Sequence, residues 1–197
     1  MSSHPTQFTR RPYKGSCHCG TIKYITYLTL PFPDSPFPSP DPKTGMAERS
    51  GQRLYKCNCT VCHKMGILHL RLQNPPTDFL LLSSSLDPMS PEGGISDYTC
   101  NKGSNHRYFC ANCGVRCFSM RGPMENAEVE VDGKVVKVWR PVAEGWREGK
   151  GAPCYLSINA VTLEEGPEGL DLREWHDNGW VKYVDSLDDS PGFSEKP

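Results

Sequence analysis

Apolar positions in this chain recur mostly at every second residue, in short runs broken by proline and glycine. Residues 21–27 (Thr-Ile-Lys-Tyr-Ile-Thr-Tyr) alternate in this way and are β-branched or aromatic, which predicts a strand. Leu54-Tyr55 and residues 66–72, 79–82, 95–100, 106–109, 115–120 and 155–161 predict further short strands. Asp132-Gly133 stands between the apolar runs 129–131 and 135–138, a strong hairpin signal. Asn74-Pro75-Pro76-Thr77 reads as a turn, residues 83–94 as a loop, and 170–175 as a short turn of helix. The run from Leu30 to Pro42 carries too many prolines for helix or central strand and reads as an extended excursion. The fold class expected from this pattern is mainly β.

Composition sharpens that picture. The 197 residues suit one domain and can bury a full core, so the ten cysteines are not needed as staples for a tiny fold. The 18 glycines and 18 prolines agree with many turns and argue against a helical bundle. A formal charge of -1 gives no general attraction to nucleic acid or an anionic membrane, so neither is expected as a partner. No run approaches the roughly 20 apolar residues of a membrane span. Residues 1–16 hold no apolar signal-peptide core, so the expected location is cytoplasmic. In a reducing compartment, clustered cysteines read as metal ligands before disulfides.

Seven of the ten cysteines form three clusters: Cys17-His18-Cys19, Cys57-Asn58-Cys59-Thr60-Val61-Cys62 and Cys110-Ala111-Asn112-Cys113. Two sulfurs one or two residues apart reach one metal when a tight turn brings them to the same side. A glycine after the second cysteine permits that turn. Gly20 and Gly114 hold this position in the outer clusters, whereas Cys62 is followed by His63. Cys17, Cys19, Cys110 and Cys113 are therefore expected to close one structural site. It would clamp the chain across roughly ninety residues, a large entropic constraint. Cys57, Cys59 and Cys62 then offer three thiolates to a second metal, leaving one position for water or a substrate. A trithiolate zinc is a weak Lewis acid, better suited to binding and activating a thiol than to making a strong hydroxide. A fourth protein ligand would close it, the candidates being His63, His69, His106, Cys100, Cys117 and Cys154. His63 is expected to point away, His69 to be an ordinary strand histidine, and Cys117 a core thiol, with Cys100 and Cys154 following the same logic. A clamp role for every cluster is the competing assignment.

Three ordered motifs carry a family resemblance: Gly15-Ser16-Cys17-His18-Cys19-Gly20, the Cys57/Cys59/Cys62 triplet with Gly66, and Arg107-Tyr108-Phe109-Cys110 through Cys113-Gly114. Together with residues 155–160 and Trp175-His176-Asp177, they resemble the glutathione-dependent formaldehyde-activating enzyme family, also called the centromere protein V family. The resemblance covers residues 12–183. It implies a β-tent fold of small antiparallel sheets joined at a structural zinc, and two Zn2+ ions divided as above, with the triplet (Cys57, Cys59, Cys62) catalytic. It also implies a carbon–sulfur lyase-like activity, in the family type the condensation of glutathione with formaldehyde to S-(hydroxymethyl)glutathione. The expected partner is a small-molecule substrate, glutathione or another thiol; the alternative is a non-catalytic zinc-binding interaction module. The expected domain spans 12–185, between a flexible N-terminus (1–11) and a flexible acidic tail (186–197). Two segments depart from the family pattern: a proline-rich insertion over 30–45 and a hairpin insertion over 124–150. Arg71, Arg107, Arg116 and Arg140 are the cations nearest the motifs, each read as a solvated surface residue. Trp139 and Trp146 read equally as pocket wall or core.

Overall fold

A computed structural model describes residues 9–30, 32, 51–82, 94–100, 102–148, 152–164 and 170–187. These form a mainly β fold of two sheets, and the expected fold class holds at that level. The first sheet combines β1 (Thr9–Ser16), β2 (Lys23–Leu30), β5 (Phe79–Leu81), β10 (Lys134–Pro141) and β9 (Met124–Val131), in the order β1-β2-β5-β10-β9. The second combines β12 (Val181–Val184), β3 (Arg53–Cys57), β4 (His69–Arg71), β11 (Tyr155–Asn159), β8 (Arg116–Arg121), β7 (Asn105–Cys110) and β6 (Ile95–Cys100), again in spatial order. All pairings are antiparallel except β12 with β3.

One core joins the sheets. Tyr24, Leu28, Phe79 and Leu81 of the first pack with Leu54, Leu70, Phe118, Leu156 and Ile158 of the second. The rings of Phe79 and Phe118 meet at 5.0 Å across the interface. Buried Tyr24 also spends its hydroxyl on Thr162 Oγ1 at 2.7 Å, leaving no stranded polar atom there. The other face of the first sheet carries a smaller apolar cluster, with Ile25, Leu80 and Val138 at its centre. Both faces of β2 are thus largely covered, although its sequence alternates.

Several expectations shift. The hairpin β9–β10 turns at Asp132-Gly133, whose φ angles of 51° and 73° are those a two-residue hairpin turn requires. It is no appendage: β10 pairs with β5 and supplies the sheet's edge with two of its five strands. Trp139 and Trp146 pack against the main core. At the N-terminus, Thr9, Arg10 and Arg11 belong to β1, inside the segment expected to be flexible. Arg10 is held there by buried Asp78 at 2.6 Å. The proline-rich insertion lies outside the described residues apart from Leu30 and Phe32, and so does the tail from residue 188. Asn74-Pro75-Pro76-Thr77 opens one turn of helix, α2 (Pro75–Asp78), where proline at the first position loses no hydrogen bond. The C-terminal helix α3 (Leu172–Asp177) starts two residues later than expected, because Asp171 caps it by accepting from the amides of Arg173 and Glu174. It buries Trp175 edge-on against Phe32.

Candidate metal centres

The outer cysteines converge as their spacing predicts. Cys17 and Cys19 follow the end of β1, Cys110 ends β7, and Cys113 lies in the turn toward β8. The two knuckles have the same construction. In each, the amide after the second cysteine turns back to the first cysteine's carbonyl: Gly20 N to Cys17 O at 3.0 Å and Gly114 N to Cys110 O at 2.9 Å. Both glycines are left-handed, at φ 75° and 74°. A side chain would strain that conformation, so the sequence signal had a direct steric cause. All four Sγ atoms lie within 4.8 Å of one another, with Cys19 to Cys17 at 3.6 Å and Cys19 to Cys110 at 3.5 Å. Because β1 and β7 belong to different sheets, this group cross-links them.

Surroundings divide the four thiols. Burial pushes Cys17 up to about 12. Exposed Cys19 is drawn down to about 5, first by a hydrogen bond from the Thr21 hydroxyl at 3.2 Å. Cys113 is also lowered, chiefly by the Val115 amide. An amide aimed at each buried sulfur, Ile22 N to Cys17 Sγ at 3.2 Å and Cys113 N to Cys110 Sγ at 3.5 Å, is the arrangement that stabilises a metal thiolate. Four soft donors at this spacing can hold a metal ion.

The triplet is built differently. Cys57 ends β3, but Cys59 and Cys62 belong to a helix, α1 (Thr60–Met65), between the strands expected at 54–55 and 66–72. Cys59 is its N-cap, its sulfur accepting from Cys62 N at 3.5 Å. Gly66, left-handed at φ 65°, ends the helix by donating to Cys62 O and His63 O. The triplet is therefore a strand-to-helix corner, for which no glycine after Cys62 is needed. The three Sγ atoms lie within 4.8 Å of one another. The last described strand flanks them: β12 runs beside β3, Asn58 N donates to Val184 O at 3.2 Å, and Ser186 Oγ stands 3.2 Å from Cys57 Sγ. Ser186, expected in the flexible tail, is held by Asn58 Oδ1 accepting from its amide at 2.6 Å.

Among the described residues, no fourth His, Cys, Asp or Glu atom joins the triplet. His63 is exposed, as expected. His106 pairs with Asp97 at 2.5 Å. Cys117 is a buried thiol beside the outer cluster, raised by burial. Cys154 is buried against Gly122, and Cys100 ends β6. His69 corrects its reading as an ordinary strand histidine. It is 1% exposed, and its Nε2 lies 3.1 Å from Cys62 Sγ, without joining the three sulfurs.

Behind His69 runs a buried polar chain. Nδ1 meets Ser157 Oγ at 2.8 Å, Ser157 meets Tyr155 OH at 2.9 Å, and Tyr155 meets Tyr55 OH at 2.9 Å. The Tyr55 ring stacks on the imidazole at 4.8 Å. Burial, with Arg107 and Arg71 nearby, lowers His69 to about 3, so the ring is neutral. The Cys62 sulfur, whose own proton turns toward Cys57, accepts from the neutral ring, which makes Nε2 the donor and Nδ1 the acceptor from Ser157. Sequence reasoning missed this role because β4 brings His69 to Cys62 only through its pairing with β3 and β11.

Arg71 and Arg107 correct the surface reading: they are 5% and 8% exposed. Arg71 pairs with Glu148 and lies 4.3 Å over the Tyr155 ring. The cationic neighbourhood of Arg107 opposes a rise at Cys62, yet its contact with Cys57 and its burial push that thiol well up. Cys57, accepting the hydrogen bond from Cys62, falls to about 5. The set thus keeps a thiolate at Cys57 with one proton retained at Cys62. It can hold a metal that displaces that proton.

No family model and no curated protein matches the chain. A solved structure of a Rhodobacter sphaeroides protein, determined as a structural genomics target, is similar at 16% identity. The match covers 87% of this chain and 99% of that one, with a TM-score of 0.44.

Proposed function

We propose that this protein is a zinc-dependent carbon–sulfur lyase-like enzyme acting on a thiol adduct or a small carbonyl compound. The observation that carries this reading is the unequal ligand count, four sulfurs in one group and three in the other, with no fourth ligand for the second among the described residues. All-sulfur donor sets favour zinc among the common intracellular divalent ions, and a three-ligand site with an open position is the catalytic pattern.

Cys57, Cys59 and Cys62 would hold the ion, and zinc bound there supplies a substrate thiol already deprotonated at neutral pH. His69 donates Nε2–H to Cys62 Sγ, which spreads charge away from the most buried sulfur. Ser157, Tyr155 and Tyr55 fix the imidazole tautomer and stop the ring rotating. In the condensing direction a carbon–sulfur bond forms between the thiol and the carbonyl carbon, and the thiol proton ends on the new hydroxyl oxygen. The reverse breaks the same bond and returns the carbonyl. Cys17, Cys19, Cys110 and Cys113 take no part beyond joining the sheets.

The test is purified protein with its metal counted. Two zinc equivalents and accelerated hemithioacetal formation from glutathione and formaldehyde, followed by NMR exchange, are expected, with Cys59→Ala abolishing the acceleration. Should neither glutathione nor other thiol–aldehyde pairs be accelerated by the two-zinc protein, it is a non-catalytic zinc-binding module and the reading fails.

A further inference from the structure

One side of α1 faces an open cavity of about 460 Å³, within the size range of small-molecule sites. Thr60, Val61, Lys64 and Met65, which share one stripe of the helix, form the first wall. Tyr98, Phe109 and Arg116 form the other.

The cavity adjoins the triplet. Thr60 and Val61 sit in sequence between Cys59 and Cys62. Across the ladder, Tyr98 lies directly opposite Arg107, so their side chains share one face of the second sheet. Arg107 is the buried cation whose charge bears on Cys62, and its Nε has no hydrogen-bond partner among the described residues. Cavity wall and buried sulfur therefore meet on the same face.

The lining has a clear chemical bias. It contains two cations and no carboxylate. Neither Lys64 nor Arg116 has an ion-pair partner among the described residues. Arg116 Nε is buried without a hydrogen-bond partner among the described residues, and its guanidinium lies 5.5 Å from the Phe109 ring centroid. Apart from Thr60 the remaining lining residues are aromatic or aliphatic, with Tyr98 48% exposed. Such a site rewards a negative charge at one end and an apolar body at the other. A zwitterionic peptide would bring an ammonium group to a lining with no acid to receive it.

We propose that this groove binds an organic carboxylate with an aromatic or bulky apolar body, its carboxylate between Lys64 and Arg116 and its body against Tyr98, Phe109 and Met65. That this anion is the body of the substrate whose sulfur or carbonyl reacts at the triplet rests on the lyase-like reading above. The ligand chemistry of the groove stands without it.

The experiment is calorimetric titration of the full, zinc-loaded chain with 2-naphthoate, its neutral analogue 2-naphthalenemethanol, and S-methylglutathione. One saturable naphthoate site is expected, with each of the other two probes at least about tenfold weaker. Lys64→Met and Arg116→Met should each weaken naphthoate about tenfold or more, the size expected for a lost charge-assisted hydrogen bond, and Arg116→Lys should recover part of the loss. Unchanged naphthoate affinity in both methionine variants overturns the proposal, as does tighter binding of S-methylglutathione than of naphthoate. Zinc content and near-ultraviolet circular dichroism verify each fold. If Arg116→Met loses zinc, exposed Lys64 decides the matter. Naphthoate carries no thiol and no aldehyde or ketone to react, so its binding survives a failure of the lyase-like reading, and turnover survives a failure of this one.

Discussion

The two cysteine groups share a ligand chemistry and differ in nearly everything around it. The outer four rest on two matched knuckles, each turned by a left-handed glycine, and tie β1 of one sheet to β7 of the other. Their hydrogen bonds come from local amides and Thr21. The triplet sits where β3 turns into α1, and behind its buried sulfur stands a chain of four polar side chains ending at Tyr55. Burying His69, Ser157 and their partners is costly unless every group is satisfied, and a clamp would gain nothing from it. The contrast teaches that two groups of one ligand type can differ wholly in the layer behind them, which is where a strut and a reactive centre would part.

The largest expected effect breaks the strut. Cys110→Ser removes one of four ligands where the sheets are joined. Metal binding at such sites contributes about 10 kcal/mol to folding, comparable with the whole stability of a domain. Loss of the cooperative thermal transition is the expected outcome, and a variant that melts within a few degrees of the wild type would erase the distinction between the two groups.

Next comes Cys59→Ala, which should release one metal equivalent, cost less than about 3 kcal/mol by denaturant unfolding, and cut turnover more than about 100-fold. Chelator titration should follow the same order, stripping the three-sulfur group before the four-sulfur one. Simultaneous release of both metals with unfolding would mean that the triplet is a strut as well.

His69→Gln sharpens the comparison from behind. It leaves the three sulfurs in place but breaks the tautomer-fixed donor to Cys62, so triplet metal affinity should fall about tenfold to 100-fold. Cobalt substitution offers a readout beyond activity, since the sulfur-to-cobalt absorption of the triplet should shift while that of the outer group stays put. An unchanged triplet spectrum would show that His69 is only packing.

The smallest effect tests the knuckle turn. Gly114→Ala meets no atom within 4 Å, so its whole cost is the left-handed backbone at φ 74°, about 1 kcal/mol. Both metals should be retained. A loss near zero would show that the turn tolerates a side chain, and that the glycine was a poor basis for pairing the outer clusters.

Much of the framework was legible because its causes are local. Alternation marked most strands, Asp132-Gly133 marked the hairpin, and Gly20 and Gly114 marked the outer knuckles. The misreadings share a different cause. A six-residue helix such as α1 is too short for its period to show, and its cap is a cysteine rather than the usual serine or aspartate. The charge on Arg71 and Arg107 suggested surface, since isolated guanidinium groups rarely go inside; their partners are Glu148, supplied from a distant segment, for one and Cys100, on the paired strand β6, for the other. The hairpin 124–141 looked like an addition, yet β5 offers it an edge to complete.

By itself, the sequence determined that this chain is mainly β, that its outer cysteines form two glycine-turned knuckles, and that its seven clustered thiols divide into four and three. These follow from steric and periodic rules acting over a few residues. Only the tertiary structure decided that the four-sulfur group joins two sheets, that His69 reaches Cys62, and that a cationic, aromatic groove flanks α1. Each of these depends on strand neighbours brought together from distant parts of the chain, and pairing order is a property of the packed sheets that no local pattern encodes.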